Sequence, residues 1–340
     1  MLSLDDVDAL LTSSALRTPA VRVARDGSVL PESSYTRGGT LAGKPLTGLI
    51  DPVRLLGLFD EGATVVLQGL QRYHPPLADL VAALELELGH PCQANAYLTP
   101  PGAQGFAVHS DSHDVFVFQT HGSKQWEVHG ADGPGDLLLE PGVVAYLPTG
   151  TPHAARAQRT ASLHVTIGIN QLTWRALVER VVRDAVAQVP DDHLPAGWLD
   201  EPADLSAGLG HHLREVADRL VAVDTDDRAD AEVRRFLTSR PPRSAGGLRD
   251  RVALADGIGP DSLLERRAGV PCRLVDEPGD RIRVLLGDRS LVVPARLRPA
   301  LEEVARREAL TARDLVEHLD LESALVLTRR LVREGLLRVG

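Results

Sequence analysis

Four side chains in this 340-residue sequence could do chemistry together: His109, Asp111, His153 and Lys124. The first two stand in His109-Ser110-Asp111, and side chains at that spacing on an extended strand leave by the same face. A third ligand from a distant strand would complete a three-cornered cap, and His153 is placed to supply it. Two imidazoles and one carboxylate suit Fe(II) and leave the opposite side of the metal open for substrate and O2. On spacing alone, a solvated polar pair gives the same His-x-Asp pattern. Lys124 is one of two lysines in a chain whose other basic residues are Arg. A compact ammonium fits one carboxylate in a tight site better than a wide guanidinium fork does. A surface lysine is the plain alternative.

The elements that must position these residues are strands. Residues 115–118 (VFVF) form an apolar run that reads as a buried strand, and 142–147 form another. Between the second run and His153 lies Pro148-Thr149-Gly150-Thr151-Pro152, a turn by composition. Lys124 opens a strand entered through Gly122-Ser123. Asn95 and Tyr97 share one strand face, as do His164 and Thr166, and all four are candidate pocket-lining residues. His164 is out of phase with Leu163, Val165 and Ile167, so its strand has one polar face; a satisfied barrel-interior histidine is the reading preferred to a fourth ligand. His113 keeps the phase of His109 and Asp111 and could touch substrate or brace a ligand, or be merely packed or solvated. His121 and His129 read as turn residues.

The stretch from Asn95 onward resembles the JmjC-type (cupin-fold) oxygenases, and most closely their ribosomal-oxygenase branch, which hydroxylates ribosomal proteins. NAYLTPPGAQGF, the His-x-Asp followed by DVFVFQ, Gly122-Ser123-Lys124-Gln125-Trp126, the Pro-x-Gly-x-Pro-His turn and SLHVTIG follow in the order that branch uses. The likeness covers roughly residues 20–175. It implies that His109, Asp111 and His153 hold Fe(II), that Lys124 takes the distal carboxylate of the cosubstrate 2-oxoglutarate, and that O2 completes the reaction. It further implies a mixed, mainly β fold: a double-stranded β-helix (cupin/JmjC) barrel with an N-terminal extension over 1–170, a helical dimerisation region over 171–240, and a winged-helix-like domain over 248–340. The expected activity is hydroxylation of a protein side chain, an Arg or His of a ribosomal protein. Rivals are a tailoring oxygenase acting on a peptide natural product or small molecule, a methyl-lysine demethylase, and a catalytically silent cupin that only binds a partner. Aromatic content of 4% lends no support to a methyl-lysine cage. A silent cupin has no chemical need for the triad and Lys124 together.

The rest of the chain is consistent with a cytoplasmic enzyme. A net charge of −10 argues against a general nucleic-acid binder and suits a basic partner. Cys92 and Cys272 lie far apart and form no metal or redox motif. No signal peptide or membrane span is expected. Residues 2–11 have helical spacing, and 21–30 read as a hairpin about Asp26-Gly27. Residues 51–59 read as a helix capped by Asp51 with Pro52 at its first position. A buried strand follows at 62–67, and an amphipathic helix at 76–88 stops at Gly89-His90-Pro91.

From Gln171 the period becomes helical. Helices are expected from Leu172 onward, over 204–221 and over 227–236, with more apolar surface than one small layer needs; a homodimer follows from the resemblance. Residues 239–247 read as a linker. Short strands are expected at 272–275, 281–286 and 290–294, then helices over 299–308, 311–319 and 322–334. The last sixty residues carry twelve Arg against nine acidic residues, with Arg329, Arg330 and Arg333 where a recognition helix would be. Leu325, Val326, Leu331 and Val332 show most of that helix packing, so a structural or substrate-positioning role is preferred to sequence-specific DNA reading.

Overall fold

The computed structural model describes residues 1–340 apart from Ser14, 104–106, 131–132 and Gln158; the Gln-Gly-Phe end of the NAYLTPPGAQGF motif thus lies outside the described residues. The chain divides into two units, Met1–Gln171 and Leu172–Gly340. Among the described residues no helix is long and apolar enough to cross a membrane.

In the first unit, α1 (Leu4–Ser13) leads into β1 (Val21–Arg25) and β2 (Ser28–Val29), then β3 (Thr36–Leu41) and β4 (Lys44–Ile50). The helix α2 (Pro52–Asp60) begins where its cap dictates: the Asp51 carboxylate accepts from the N–H groups of Val53 and Arg54, and Pro52 fills the first helical position. After β5 (Thr64–Leu67), α3 (Pro75–Leu88) ends at Gly89, whose φ of +68° closes the last turn. Then come β6 (Cys92–Thr99), β7 (Asp114–His121), β8 (Lys124–Gly130), β9 (Gly133–Leu139), β10 (Val144–Leu147), β11 (His153–Ala157) and β12 (Ser162–Ile169). A seven-stranded sheet runs β10-β7-β12-β6-β5-β1-β2, and a second sheet runs β11-β8-β9.

Strand alternation divides the large sheet into two faces. Ala94 and Ala96 of β6, and Leu163, Val165 and Ile167 of β12, pack with Val7, Leu55, Leu77 and Val81 of the three helices in one core. The alternate residues Asn95 and Tyr97, His164 and Thr166, and Val115 and Val117 line a cavity on the other face. The second sheet closes that side, with Trp126 and Leu139 packed against Val115, Val117 and Leu147. Burying β12 on both faces accounts for all eight of its residues being inaccessible.

One turn sets the entry to β8. Gly122 has φ +60°, and a Cβ there would stand 2.0 Å from the Ala161 carbonyl oxygen. The Gln119 amide locks the same turn, donating to the carbonyls of His121 (2.8 Å) and Gly122 (3.2 Å) and to the Ser162 hydroxyl (2.9 Å).

The second unit begins with α4 (Trp174–Val186), α5 (Pro202–Val221) and α6 (Thr225–Thr238), in which Ala185 alone among the described residues is fully buried. Next come α7 (Gly247–Asp256), β13 (Leu264–Arg266), β14 (Arg273–Glu277), β15 (Arg281–Leu285) and β16 (Ser290–Pro294). They are followed by α8 (Arg298–Arg306), β17 (Ala309–Leu310), α9 (Leu321–Glu334) and β18 (Leu337–Val339). Two small sheets, β17-β13-β18 and β14-β15-β16, share a core with α8 and α9 built on Ile282, Val284, Leu301, Val304, Leu327 and Leu331. A buried Arg267–Asp250 pair (2.5 Å) ties α7 to the residue after β13, and Arg267 also caps the Gly335 carbonyl.

Two expectations are corrected here. Residues 311–319 form only a 3-10 turn at Ala312–Leu315, because Thr311 and Asp314 close a capping box on one turn and Asp320 already caps α9. Residues 239–247 are not all linker, since Gly247 starts α7.

Because Gly122 combines a left-handed φ with a backbone carbonyl in the space of a side chain, Gly122→Ala should lower stability by about 2–5 kcal/mol. Urea unfolding followed by circular dichroism would read this, and an unchanged midpoint would refute the role of the turn.

Candidate active site

His153 opens β11, where it pairs with Val128 of β8. The preceding turn is held twice. The Gly150 N–H donates to the Asp111 carbonyl (2.9 Å), and the Asp114 carboxylate accepts from the Thr149 N–H (2.8 Å), the Thr149 hydroxyl (2.7 Å) and the Tyr146 hydroxyl (2.5 Å). Those bonds, Tyr146 foremost, draw Asp114 down to about 2, so it stays ionised as the clamp on this turn. His109 does not lie on a regular strand, as the spacing had suggested. It forms a single antiparallel bridge with His153, N–H to carbonyl in both directions at 3.0 and 2.8 Å, while Asp111 is given over to the turn.

The same-face result survives this correction. One ligand atom from each of His109, Asp111 and His153 lies within 4.8 Å of the others. His153 Nε2 is 3.7 Å from Asp111 Oδ2, and the two imidazole centroids are 4.5 Å apart. Nδ1 of His109 lies 2.9 Å from the Ala107 carbonyl oxygen, and Nδ1 of His153 lies 2.9 Å from that of Thr151. A carbonyl only accepts, so each Nδ1 carries the proton and each Nε2 is left with a lone pair. Burial holds the His153 imidazole below its ordinary pKa, which keeps it neutral and able to ligate. His153 is buried, whereas His109 is exposed and Asp111 half-buried, so the group stands at the mouth of the cavity. Neutral nitrogen, neutral nitrogen and carboxylate oxygen on one open face fit Fe(II).

The cavity behind this group has a volume of about 290 Å³. Lys124 is 2% exposed within it, and its Nζ donates to Thr99 Oγ1 (2.9 Å), itself bonded to Thr64 Oγ1. No carboxylate pairs with Lys124 among the described residues, and burial pushes it down to about 7. An ammonium sealed in without a counter-ion fits a ligand that brings a carboxylate. Asn95, Tyr97 and Thr166 line the same cavity. The Asn95 carbonyl oxygen is engaged by the Gly69 N–H (3.0 Å) and the Gln93 amide, leaving the NH2 group as what Asn95 can offer. Thr166 bonds Tyr97, whose phenol is raised by burial.

Sequence reasoning did not find Arg22, Thr64 or Thr99. Arg22 reaches this cavity through pairing order, Arg22 with Val66 and Val66 with Tyr97, which no local pattern displays. His113 lines the cavity with its ring over Gly168, where a Cβ would come within 2.5 Å of Nε2. His121 ends β7, but His129 is not in a turn: pairing of β8 continues to Gly130, which keeps His129 opposite Pro134 and bonded to Glu127. A second grouping, His211, His212 and Glu215, lies on the surface of α5.

A family profile described as JmjC domain matches residues 70–135 and 131–177. The likeness to that family lies in this part of the chain. Among curated proteins, the chain is similar to the bifunctional lysine-specific demethylase and histidyl-hydroxylase NO66 of Branchiostoma floridae, 34% identical over 182 residues covering 51% of this chain and 30% of that protein. It is also similar to ribosomal oxygenase 1 of Rattus norvegicus, 32% identical over 178 residues covering 44% of this chain and 30% of that protein. The chain thus spans under a third of the length of these two relatives. Among solved structures, the ribosomal oxygenase YcfD of Escherichia coli shares the fold over 100% of this chain and 91% of its own, with a TM-score of 0.56 at 22% identity. A further structure of YcfD holds cobalt and 2-oxoglutarate (TM-score 0.52).

The sign of the Lys124 shift fixes a pH dependence. Below pH 7 the ammonium is buried in the fold at full cost. Between about 7 and 10.5 the unfolded chain keeps the proton that the folded chain releases, so stability rises with pH; above 10.5 the cost is gone. Lys124→Met should therefore stabilise the ligand-free protein, by an amount on the order of a few kcal/mol at pH 7 that shrinks toward pH 10. Urea midpoints of both proteins across that range would test it; an equal gain at both ends would contradict the assignment.

Proposed function

We propose that this chain is an Fe(II)- and 2-oxoglutarate-dependent oxygenase that hydroxylates a protein side chain, a ribosomal-protein histidine. The observation that carries the reading is the pairing, in one cavity, of a two-His, one-Asp face with a buried Lys that has no counter-ion among the described residues. His109, Asp111 and His153 would hold the iron and Lys124 the distal carboxylate of 2-oxoglutarate, with Asn95, Tyr97 and Thr166 lining the cosubstrate pocket. The chemistry such a centre supplies when loaded is oxidative decarboxylation of 2-oxoglutarate by O2 coupled to hydroxylation of a substrate C–H bond, giving succinate and CO2. The protein's part is to orient both imidazoles through their Nδ1–H bonds, to offer Lys124 as a fixed cation, and to keep water out with Val115, Val117, Leu147 and Ala155.

The choice of His over Arg rests on likeness to NO66, which is named a histidyl-hydroxylase.

We assign residues 171–240 to dimerisation. Trp174, Val178, Val182 and Val186 form an exposed apolar stripe at i, i+4 spacing along α4, and Leu209 and Leu213 are exposed on α5. Residues 248–340 form a winged-helix-like domain in this reading. Its last helix is not free for base readout: the Arg329 guanidinium donates to the Ile258 carbonyl (3.0 Å), and Arg330 pairs with Glu334. We place the protein in the cytoplasm, where ribosomal proteins are made.

Two measurements test these assignments. Purified protein with Fe(II), O2 and 2-oxoglutarate should form succinate, read by NMR, and transfer one oxygen atom to a ribosomal protein, read by mass spectrometry. His109→Ala, Asp111→Ala, His153→Ala and Lys124→Ala should each cut turnover about 100-fold or more with the fold retained. Full turnover in the triad variants would refute the metal site, and loss of iron-dependent 2-oxoglutarate binding in the wild type would favour the silent-cupin alternative. Sedimentation at micromolar concentration should give twice the 36.6 kDa chain mass, falling to one chain in Val178→Glu/Val182→Glu; a monomeric wild type would refute the dimer.

A further inference from the structure

Strand register tells the two ends of the cavity apart. At one end Lys124 bonds Thr99, which pairs with Ser162 at the start of β12. The strand then runs past His164 and Thr166, both lining the cavity, to Gly168, about 20 Å along the strand from Ser162. Gly168 pairs with Val115, and His113 stands just before β7 at this end, close in sequence to Asp111. The His113 ring lies where a Gly168 side chain would be: an added Cβ would stand 2.5 Å from Nε2 and 2.7 Å from Cδ2. Gly168 has no left-handed φ that would call for glycine. A glycine inside a strand often marks the close approach of another group, and here that group is the imidazole. His113 is half-buried, lines the cavity and has no hydrogen-bond partner among the described residues, yet neither ring nitrogen is closed off. Nδ1 of His164, also without a partner among the described residues, is sealed, so His164 is not the satisfied histidine that strand phase suggested.

We propose that His113 is a substrate-binding residue: seated on Gly168 at the mouth, its imidazole hydrogen-bonds a backbone amide of the peptide that carries the target histidine. The inference rests on the function proposed above and names a contact for its substrate. Lys124 holds the opposite end of the cavity, so what reaches His113 comes in past the triad. A peptide amide offers one donor and one acceptor. An imidazole answers with one N–H and, when neutral, one lone pair. The seat on Gly168 sets the ring before the peptide arrives, so little side-chain freedom is lost on binding.

Calorimetry on protein loaded with Mn(II) and 2-oxoglutarate tests this without turnover. The probe is a synthetic peptide spanning the ribosomal-protein histidine that wild type oxidises. His113→Ala should weaken peptide binding about five- to tenfold. His113→Gln, which keeps a donor and an acceptor, should recover part of that loss. Gly168→Ala should reproduce it, because the new methyl displaces a ring that can rotate and leaves the triad residues untouched. The double variant should bind no worse than either single one, since both remove the same contact. Peptide affinity within about twofold of wild type in His113→Ala and Gly168→Ala overturns the proposal. So does an equal loss of 2-oxoglutarate affinity in His113→Ala, which would put the ring on the cosubstrate. Should His113→Ala not fold, Gly168→Ala decides alone. Wild type that binds 2-oxoglutarate and oxidises no ribosomal protein would instead overturn the substrate class proposed above, and this contact with it.

Discussion

An ammonium enclosed in a β-barrel, with one hydroxyl to bond among the described residues, is the constraint around which the first unit is arranged. Lys124 reaches its position because Gly122 can turn where a side chain would strike the Ala161 carbonyl, and because Thr99 lies across the interior to accept its hydrogen bond. Arg22 adds a second cation to the same space. A chain of net charge −10 thus keeps cations inside it, and the open face of His109, Asp111 and His153 at the mouth and the cation at the depth define the two ends of what can lie between them.

The two-residue period of strands does most of the remaining work. On β6 and β12 the odd and even positions have separate tasks: Ala94, Ala96, Leu163, Val165 and Ile167 hold the helices, while Asn95, Tyr97, His164 and Thr166 face the cavity. A one-residue slip would exchange the two sets, so the register that forms the core also places the site.

This explains what could be read in advance. The shared faces of Asn95 with Tyr97 and His164 with Thr166 are visible because each depends on local spacing, whereas the grouping of His109, Asp111 and His153 with Lys124 came from the family resemblance, since His109 sits on a single bridge and not on a strand. The caps Asp51 and Gly89 are likewise legible from local spacing. Arg22 and Thr99 were not, because strand order brings them in and nothing local encodes strand order. Asp114 looked like the start of an apolar strand; its grip on Thr149 depends on a turn thirty-five residues away. The hairpin of β3 and β4 also escaped notice. Its turn places Ala42 and Gly43 at φ +49° and +77°, and alanine is not a residue that announces such a turn.

The two histidines of the proposed metal site share one more feature. Each ring is fixed by a carbonyl two residues before it, Ala107 for His109 and Thr151 for His153, so the nitrogen pair is aimed before any ion arrives. An ion bound there would follow the general affinity of two imidazoles and a carboxylate, in which nickel, copper and zinc all outrank ferrous iron. Protein passed through nickel resin or zinc-bearing buffer would then carry those ions at the triad until they were chelated and exchanged.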